Sequence, residues 1–567
     1  MCCLCFAFQF LYVHGSFSRV VAEGCCTASF SALPPLHDSH RWRRTNCNAL
    51  TVTAVEFPGT KFLRAQLDAL YSDLPPDAIK IGMLGNEETI NCVGDWLDDI
   101  LGDGGGGSSS ADDPPLVVLD PVMIATSGDR LITEGAQNCM IRRIFKHAAI
   151  LTPNRFEAES LVGKKIDTAD GAMKAADEIL AMGCRSVILK GGHDMVTTTK
   201  ASEANGVNAT NGYAQDYFLS RGEADREAGP RLCDGDRGVW LRSSRYDSSH
   251  THGTGCTLSS AIASLLGIGR VARENEDGRG AEKEIRPVDA AVVAKAYVTK
   301  GIGKGVGIGK GPGPVVHTHF PCEPSYFPEL LPSREMAETA GVAPFKAMAP
   351  ADFGVLLPIV DSLAWVKKLT KCRKVTHIQL RIKGVDSAEE VDKIIEEAQG
   401  LCKQAEVKLW VNDFWESAAK HRTFGVHLGQ EDLARCADRG GLEVLQKSGL
   451  ALGVSTHSYG ELSAALGVRP SYISFGPIFG TKSKKVAFEP QGLELVKKWR
   501  GIIGPDTPFV VIGGINSISA GADVFRAGAD CVAAIGAITK GGLDDSNDVD
   551  KVFLEWEENC SPPSSDR

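Results

Sequence analysis

Between Gly354 and Gly536 the sequence repeats one pattern eight times, an apolar run of four to seven residues followed by a polar or helical stretch. The runs are GVLLPIV from Gly354, THIQL from Thr376, KLWV from Lys408, FGVHL from Phe424, LALGVS from Leu450, YISFG from Tyr472, FVVIG from Phe509 and CVAAIG from Cys531. Stretches such as SAEEVDKIIEEAQ and GLELVKKW, with helical spacing of their apolar residues, lie between them. Strands that alternate with helices form parallel sheets joined by crossovers. Eight βα units in about 210 residues predict a closed (β/α)8 barrel of the TIM type over residues 351–560.

Upstream, the runs LVVLD, AAILT and SVILK alternate with helical stretches such as GAMKAADEILAMG, which predicts a second α/β domain with a parallel sheet over residues 48–320. A length of 567 residues accommodates two such domains. Gly102–Pro115 and the polar Ser202–Arg231 region read as surface loops within the first domain, and residues 321–350 read as a linker. Residues 1–47 stand apart. Met1 to Val13 is apolar but too short to cross a bilayer, no acidic residue precedes Glu23, and HRWRR follows, so the segment reads as a targeting leader or as the product of an imperfect gene model.

The formal net charge of −10 and an aromatic content of 7% argue against a nucleic-acid-binding surface. No later segment reaches transmembrane length, which predicts a soluble protein with no membrane partner. The 17 cysteines are scattered without paired CxxC spacing and read as free thiols of a reducing compartment, plastid or cytoplasm. No motif fixes the oligomeric state, and a homo-oligomer remains open.

Active sites of (β/α)8 barrels are built after the C-terminal strand ends. Here the second strand ends in Gln379-Leu380-Arg381-Ile382-Lys383, the third in Asn412-Asp413, the fourth leads to Gln430-Glu431-Asp432, and the fifth ends at Ser455. The sixth opens into Gly480-Thr481-Lys482-Ser483-Lys484-Lys485 and the seventh into Gly513-Gly514. Asp413 and Asp432 could hold a hard cation that keeps most of its waters and bridges a diphosphate. Arg381, Lys383 and Lys484 could neutralise the same group, and backbone N–H groups near Gly514 and Gly536 could receive a monophosphate. Taken singly, each Asp could be a helix cap and each Lys a solvated charge. Their coincidence at six consecutive strand ends favours a site.

The strings QLRIK, VNDFW, GVHLGQEDL, LGVSTH, SYISFGPIFGTKSKK and IGGI closely resemble the thiamine phosphate synthase family, over about Phe353 to Lys540. The resemblance implies that Gln379, Arg381, Lys383, Asn412, Ser455 and Lys484 contact a pyrimidine diphosphate, with Lys484 catalytic, and that Asp413 and Asp432 bind Mg²⁺. It places Thr481, Lys482, Ser483, Gly514, Ile535 and Gly536 on a thiazole phosphate. Gly536 stands where many relatives carry Ser, so a hydroxyl contact is absent while the backbone donor remains.

In the first domain, His252-Gly253-Thr254-Gly255-Cys256-Thr257 precedes the helical stretch LSSAIASLLG, and glycines before a helix let backbone N–H groups converge on an anion. Asp120-Pro121-Val122, Thr152-Pro153-Asn154-Arg155-Phe156-Glu157 and Lys190-Gly191-Gly192-His193 each follow a strand, a set suited to the positioning and charge neutralisation of phosphoryl transfer. With KIGMLG and VVLDPVMIATSGDRL, these strings are similar to hydroxymethylpyrimidine (phosphate) kinases of the ribokinase-like fold, from about Asn48 to His317. The similarity implies ATP as co-substrate, Cys256 at the catalytic-base position, and Asp120, Asn154, Glu157, Lys190, Gly253 and Gly255 around phosphate and metal. The family's Gly-Gly-Ala-Gly-type turn has no match in residues 1–47. Two readings follow: a bifunctional enzyme acting on small molecules of thiamine biosynthesis, or a synthase whose first domain is a non-catalytic scaffold lacking an early strand and exposing a sheet edge.

Overall fold

The computed structural model describes residues 10–14, 19–23, 46–47, 52–54, 57–102, 114–124, 130–191, 209–221, 238–274, 285–307, 313–331, 343–480, 490–543 and 548–560. They form two compact units.

The first unit is built on a nine-stranded sheet. Its strands are β1 (Phe10–His14), β2 (Arg19–Glu23), β5 (Ala78–Ile81), β6 (Leu116–Leu119), β7 (Ala148–Leu151), β8 (Ser186–Lys190), β9 (Ala209–Ser220), β10 (Gly238–Tyr246) and β11 (Glu329–Leu331), in the order β11-β10-β9-β8-β7-β6-β5-β1-β2. A separate antiparallel pair joins β3 (Asn46–Cys47) and β4 (Val52–Ala54). The central pairings β5-β6, β6-β7 and β7-β8 are parallel, as the alternation predicts. The flanks are not. β9, β10 and β11 pair antiparallel to their neighbours, and so do β1 and β2.

Three expectations change accordingly. β9 lies inside the region read as a polar surface loop, and its residues Gln215, Asp216 and Tyr217 are buried. β11 lies inside the stretch read as a linker and pairs with β10. The edge expected to lack a strand is covered, because β1 pairs with β5 from Phe10↔Ile81 to Val13↔Ala78. Backbone groups at a sheet edge are satisfied by any strand of suitable length, so a segment without the family's motif can still close the edge.

Helices follow the polar-cap logic of their sequences. Asn86, Thr133 and Thr168 accept hydrogen bonds from the first turns of the helices Glu87–Leu101, Glu134–Arg143 and Ala169–Ala181. Trp96, Ile90, Val93 and Phe145 join the strand residues Ile79, Leu119 and Leu151 in one core. The helices Thr254–Glu274 and Pro287–Gly303 pack on each other, the first also against β5 and β6.

The second unit is a closed parallel barrel of β12 (Leu356–Val360), β13 (His377–Leu380), β14 (Lys408–Asn412), β15 (Gly425–Leu428), β16 (Ala451–Thr456), β17 (Tyr472–Phe475), β18 (Phe509–Ile512) and β19 (Cys531–Ala534). β19 closes on β12 through Leu356↔Val532 to Pro358↔Ala534. All eight runs picked from the sequence are barrel strands. The interior is filled by Phe353, Leu357, Trp410, Tyr472, Val510 and Ala533, so the barrel is a packed core rather than a pore. Two inward glycines make that packing fit: a Cβ on Gly425 would lie 2.6 Å from the Trp410 ring, and one on Gly453 would lie 2.2 Å from the Tyr472 ring. Among the described residues, no helix is long and apolar enough to cross a membrane.

Candidate functional site

A cavity of about 960 Å³, counting its open mouth, lies at the C-terminal strand ends of the barrel. Gln379, Arg381, Asn412, Ser455, Gly514, Ile535 and Gly536 all line it, so residues up to 157 positions apart in sequence are brought to one place. Gln379 is buried, and its Nε2 has no hydrogen-bond partner among the described residues, leaving a donor at the cavity wall that a ligand oxygen can satisfy. Arg381 is held through its backbone, whose N–H donates to the Val360 carbonyl at 2.7 Å. Lys383 is exposed and, like Asp413 and Asp432, is not part of the cavity lining. Thr481, Lys482, Ser483 and Lys484 lie outside the described residues.

Asp413 follows Asn412 at the end of β14 and has a left-handed backbone, φ +70°. Asp is among the few non-glycine residues that tolerate this region. Its N–H donates to the His427 carbonyl at 3.0 Å, and its own carbonyl accepts from Trp415 at 2.9 Å, so the turn is fixed from both sides. Asp432 sits in the first turn of the helix Gln430–Asp438 after the neighbouring strand β15, and Arg435 donates to its Oδ1 at 2.6 Å. The described residues contain no group of three or more His, Cys, Asp or Glu placed to hold a metal. Asp413 and Asp432 stand at the ends of adjacent strands, and a hard cation such as Mg²⁺, which keeps most of its waters and takes substrate oxygens, needs no more than one or two protein carboxylates.

Opposite, Gly513 and Gly514 turn the chain with φ +104° and +71°. A Cβ on Gly513 would lie 2.4 Å from Pro477 Cα, and one on Gly514 would lie 2.7 Å from the Gly480 carbonyl oxygen, so glycine is required at both. Gly536 begins the four-residue helix Gly536–Thr539, and the Asn516 carbonyl oxygen Oδ1 lies 2.9 Å from where its Cβ would stand. A polar side chain from the loop after β18 thus occupies the space beside this glycine.

The cavity also takes in His427, His457, Tyr472 and Asn516, which the strand-end motifs alone do not single out. His427 was legible in principle as the one titratable residue in GVHL. Its partners come from two other strands. His427 Nε2 lies 2.8 Å from Ser455 Oγ and its Nδ1 lies 2.6 Å from the Tyr472 hydroxyl. Gln430 Nε2 donates to the Ser455 carbonyl at 2.6 Å.

In the first unit a second cluster forms where β6, β7 and β8 end. Asp120 is buried and accepts at Oδ1 from Lys190 Nζ at 2.9 Å and Thr152 Oγ1 at 3.1 Å, and at Oδ2 from Ser259 Oγ at 3.3 Å. Burial works against the Asp120 charge, yet the ammonium groups of Lys190 and Lys80 hold its carboxyl below the usual range. The same pairing, with Glu157, outweighs burial and raises Lys190. Asn154 and Glu157 form a capping box on the helix Arg155–Val162. Burial, joined by the Asp120 charge and opposed by Lys190, pushes the Glu157 carboxyl up to about 7.

The HGTGCT turn meets this cluster. Gly253 has φ +81°, and Gly255 comes so close that a Cβ there would lie 3.2 Å from Lys190 Nζ. His252 is pinned by Gly313 and Val315, and half-buried Cys256 lies in the first turn of the helix Thr254–Glu274. Asp120, Asn154, Glu157, Lys190 and Gly255 are therefore gathered, while Gly192 and His193 lie outside the described residues. A buried pair missing from the motifs supports them: Lys295 Nζ donates to Asp216 Oδ2 at 2.7 Å, and Asp216 Oδ1 accepts from Gly191 N–H at 3.0 Å. This pair fixes the turn that follows Lys190.

Comparison with known proteins bears on both units. Residues 357–538 match the family model described as thiamine monophosphate synthase. A thiamine-phosphate synthase from Photorhabdus laumondii is 45% identical over 199 residues, which is 35% of this chain and 87% of that protein. The chain belongs to the thiamine-phosphate synthase family. The synthase from Serratia proteamaculans is likewise 45% identical over 198 residues, 35% of this chain and 88% of that protein. Residues 44–316 match the family model described as phosphomethylpyrimidine kinase, so each of the two families expected from the motifs has a matching stretch in this chain. A solved phosphomethylpyrimidine kinase from Clostridium difficile aligns at 28% identity and TM-score 0.31, covering 45% of this chain and 81% of that one.

Proposed function

We propose that the barrel condenses hydroxymethylpyrimidine diphosphate with a thiazole phosphate to give thiamine phosphate and diphosphate, and that the first unit phosphorylates hydroxymethylpyrimidine and its phosphate with ATP. The observation that carries the first half is the convergence of Gln379, Arg381, Asn412, Ser455, Gly514 and Gly536 on one cavity beside the strand-end carboxylates Asp413 and Asp432. In this reading Asp413 and Asp432 hold Mg²⁺, which supplies charge neutralisation to the departing diphosphate. Arg381, Lys383 and Lys484 share that load, Gln379 and Ser455 orient the pyrimidine diphosphate, and Asn412 fixes its register. The Gly513-Gly514 turn and Gly536 offer backbone N–H groups to the thiazole phosphate, which Ile535, Thr481, Lys482 and Ser483 also contact. No protein nucleophile is needed; positioning and charge do the chemistry.

For the first unit, the supporting observation is that the Asp120-Lys190-Glu157 cluster meets a glycine-rich helix start carrying Cys256. Cys256 takes the substrate hydroxyl proton, Lys190 neutralises transferring phosphate charge, and the turn at Gly253 and Gly255 receives ATP phosphates. Asp120, Asn154 and Glu157 support the metal and phosphate.

The decisive test of the barrel reading uses Asp413→Asn. Asparagine tolerates the left-handed backbone at this position, so the variant removes charge without adding strain. Turnover of purified substrates should fall about 100-fold or more, equivalent to about 3 kcal/mol of transition-state stabilisation. Near-normal diphosphate release at saturating Mg²⁺ would sink the metal assignment.

A further inference from the structure

His427, Gly453 and Tyr472 stand in register across three adjacent barrel strands: His427 pairs with Gly453, and Gly453 pairs with Tyr472. Gly453 has no side chain to block the space between them, and the Tyr472 ring fills the position where its Cβ would project, at 2.2 Å. The ring therefore reaches across a whole strand to the imidazole, lying nearly parallel to it at 18° with centroids 5.5 Å apart. Ser455 is two residues beyond Gly453, on the same face of β16, where strand alternation brings its hydroxyl to the other imidazole nitrogen.

Proton accounting then sets a direction. The Tyr472 hydroxyl is fully enclosed, and burial pushes its pKa well above the ordinary value, so it keeps its proton. Among the described residues its one hydrogen-bond partner is His427 Nδ1, at 2.6 Å. A buried O–H left without an acceptor is costly, so Tyr472 donates and Nδ1 accepts. An imidazole whose Nδ1 accepts carries its proton on Nε2, so Nε2–H donates to Ser455 Oγ at 2.8 Å. With one oxygen lone pair thus engaged, the Ser455 proton is released from the imidazole and free to point into the cavity that Ser455 lines.

We infer that Tyr472 and His427 are positioning residues, forming a one-way hydrogen-bond chain that commits the Ser455 hydroxyl to donate into the barrel cavity toward a ligand oxygen. The inference rests on the synthase reading for the identity of that ligand, a diphosphate oxygen, but the direction of the chain does not depend on it. Tyr472→Phe deletes one oxygen and keeps the ring that packs against Trp410 and Phe353.

The test is a double-variant cycle on the full chain, scored by kcat/KM for hydroxymethylpyrimidine diphosphate. Tyr472→Phe should lose about 5- to 20-fold, the size of a weakened hydrogen bond to a charged group. In a Ser455→Ala background the same change should cost less than about twofold, because the chain no longer ends on a hydroxyl. His427→Gln, which keeps a donor near the Nε2 position, should retain more activity than His427→Ala. A readout independent of turnover is the ¹⁵N spectrum of histidine-labelled protein, with the His427 signal identified by its loss in His427→Gln; it should show the Nε2–H tautomer in the wild type and tautomer mixing in Tyr472→Phe. Multiplicative losses in the cycle, or an Nδ1–H tautomer in the wild type, would overturn the chain. A wild-type protein that makes no thiamine phosphate yet shows the Nε2–H tautomer would instead overturn the synthase reading and leave the chain standing.

Discussion

At the opposite end of the barrel from the cavity, a second histidine has the reverse task. His377 begins β13, where its Nε2 meets the Asp352 carbonyl at 2.8 Å and its Nδ1 accepts from Trp410 Nε1 at 2.9 Å. Because indole can only donate, Nδ1 is unprotonated and the ring is neutral. Burial, reinforced by the Lys408 ammonium, lowers its pKa from 6.5 to about 4. A group that is harder to protonate in the folded state lends stability above its unfolded pKa, and that stability is lost as pH falls through the folded one. The stability attributable to His377 is therefore complete above pH 6.5 and disappears toward about 4, with an upper bound of about 3 kcal/mol. Hydrogen-exchange protection of β13 amides should fall across that window in the wild type. His377→Asn should be less stable at neutral pH but show a shallower fall, and an unchanged slope would remove His377 as the cause.

Single elements show what sequence could and could not reveal. The barrel strands were legible because each is a short continuous apolar run, as burial on both faces requires, and because chemistry at their C-terminal ends interrupts the pattern. β9 was not legible. Its core-facing stretch contains Gln215 and Asp216, and the Asp216 charge inside is balanced by Lys295, 79 residues later, with the Gly191 N–H satisfying its other oxygen. A charge-neutralising contact at that separation leaves no local pattern. The same holds for the site: Gln379, Arg381 and Asn412 could be read as strand-end motifs, whereas the link from Tyr472 through His427 to Ser455 depends on the register of three strands. The Gly513-Gly514 turn could be read from sequence as glycine, but the reason for glycine lies in the Pro477 and Gly480 backbone packed against it. Gly514→Ala combines a left-handed residue, costing roughly 1–2 kcal/mol, with a collision against the Gly480 carbonyl. Steady-state kinetics should show KM for thiazole phosphate raised about 10-fold or more, with KM for the pyrimidine diphosphate within about threefold, since each tenfold step is about 1.4 kcal/mol of lost binding. Equal increases in both would show that the turn serves the cavity as a whole and not the phosphate.

At the scale of the whole chain, the two units carry complementary chemistry, and the diphosphate formed by one reading is the substrate required by the other. Cys256 and Asp413 separate them cleanly because each belongs to one cluster and neither supports a core: Cys256 is half-buried at a helix start, and Asp413 is half-buried on a strand-end turn. Supplied with hydroxymethylpyrimidine, ATP and thiazole phosphate, the wild type should form thiamine phosphate and consume ATP. Cys256→Ala should stop that sequence, by about 100-fold or more for loss of a proton-transfer group, yet leave condensation of added hydroxymethylpyrimidine diphosphate untouched. Asp413→Asn should do the reverse, accumulating pyrimidine diphosphate from ATP without closing the thiamine skeleton. The alternative of a scaffold domain predicts a different result, in which the wild type consumes no ATP with hydroxymethylpyrimidine and only the added diphosphate is used. The buried Asp120-Lys190 pair argues against that alternative on physical grounds, because ionised groups held in a protein interior carry a desolvation cost that a purely structural domain could avoid with apolar residues of similar volume.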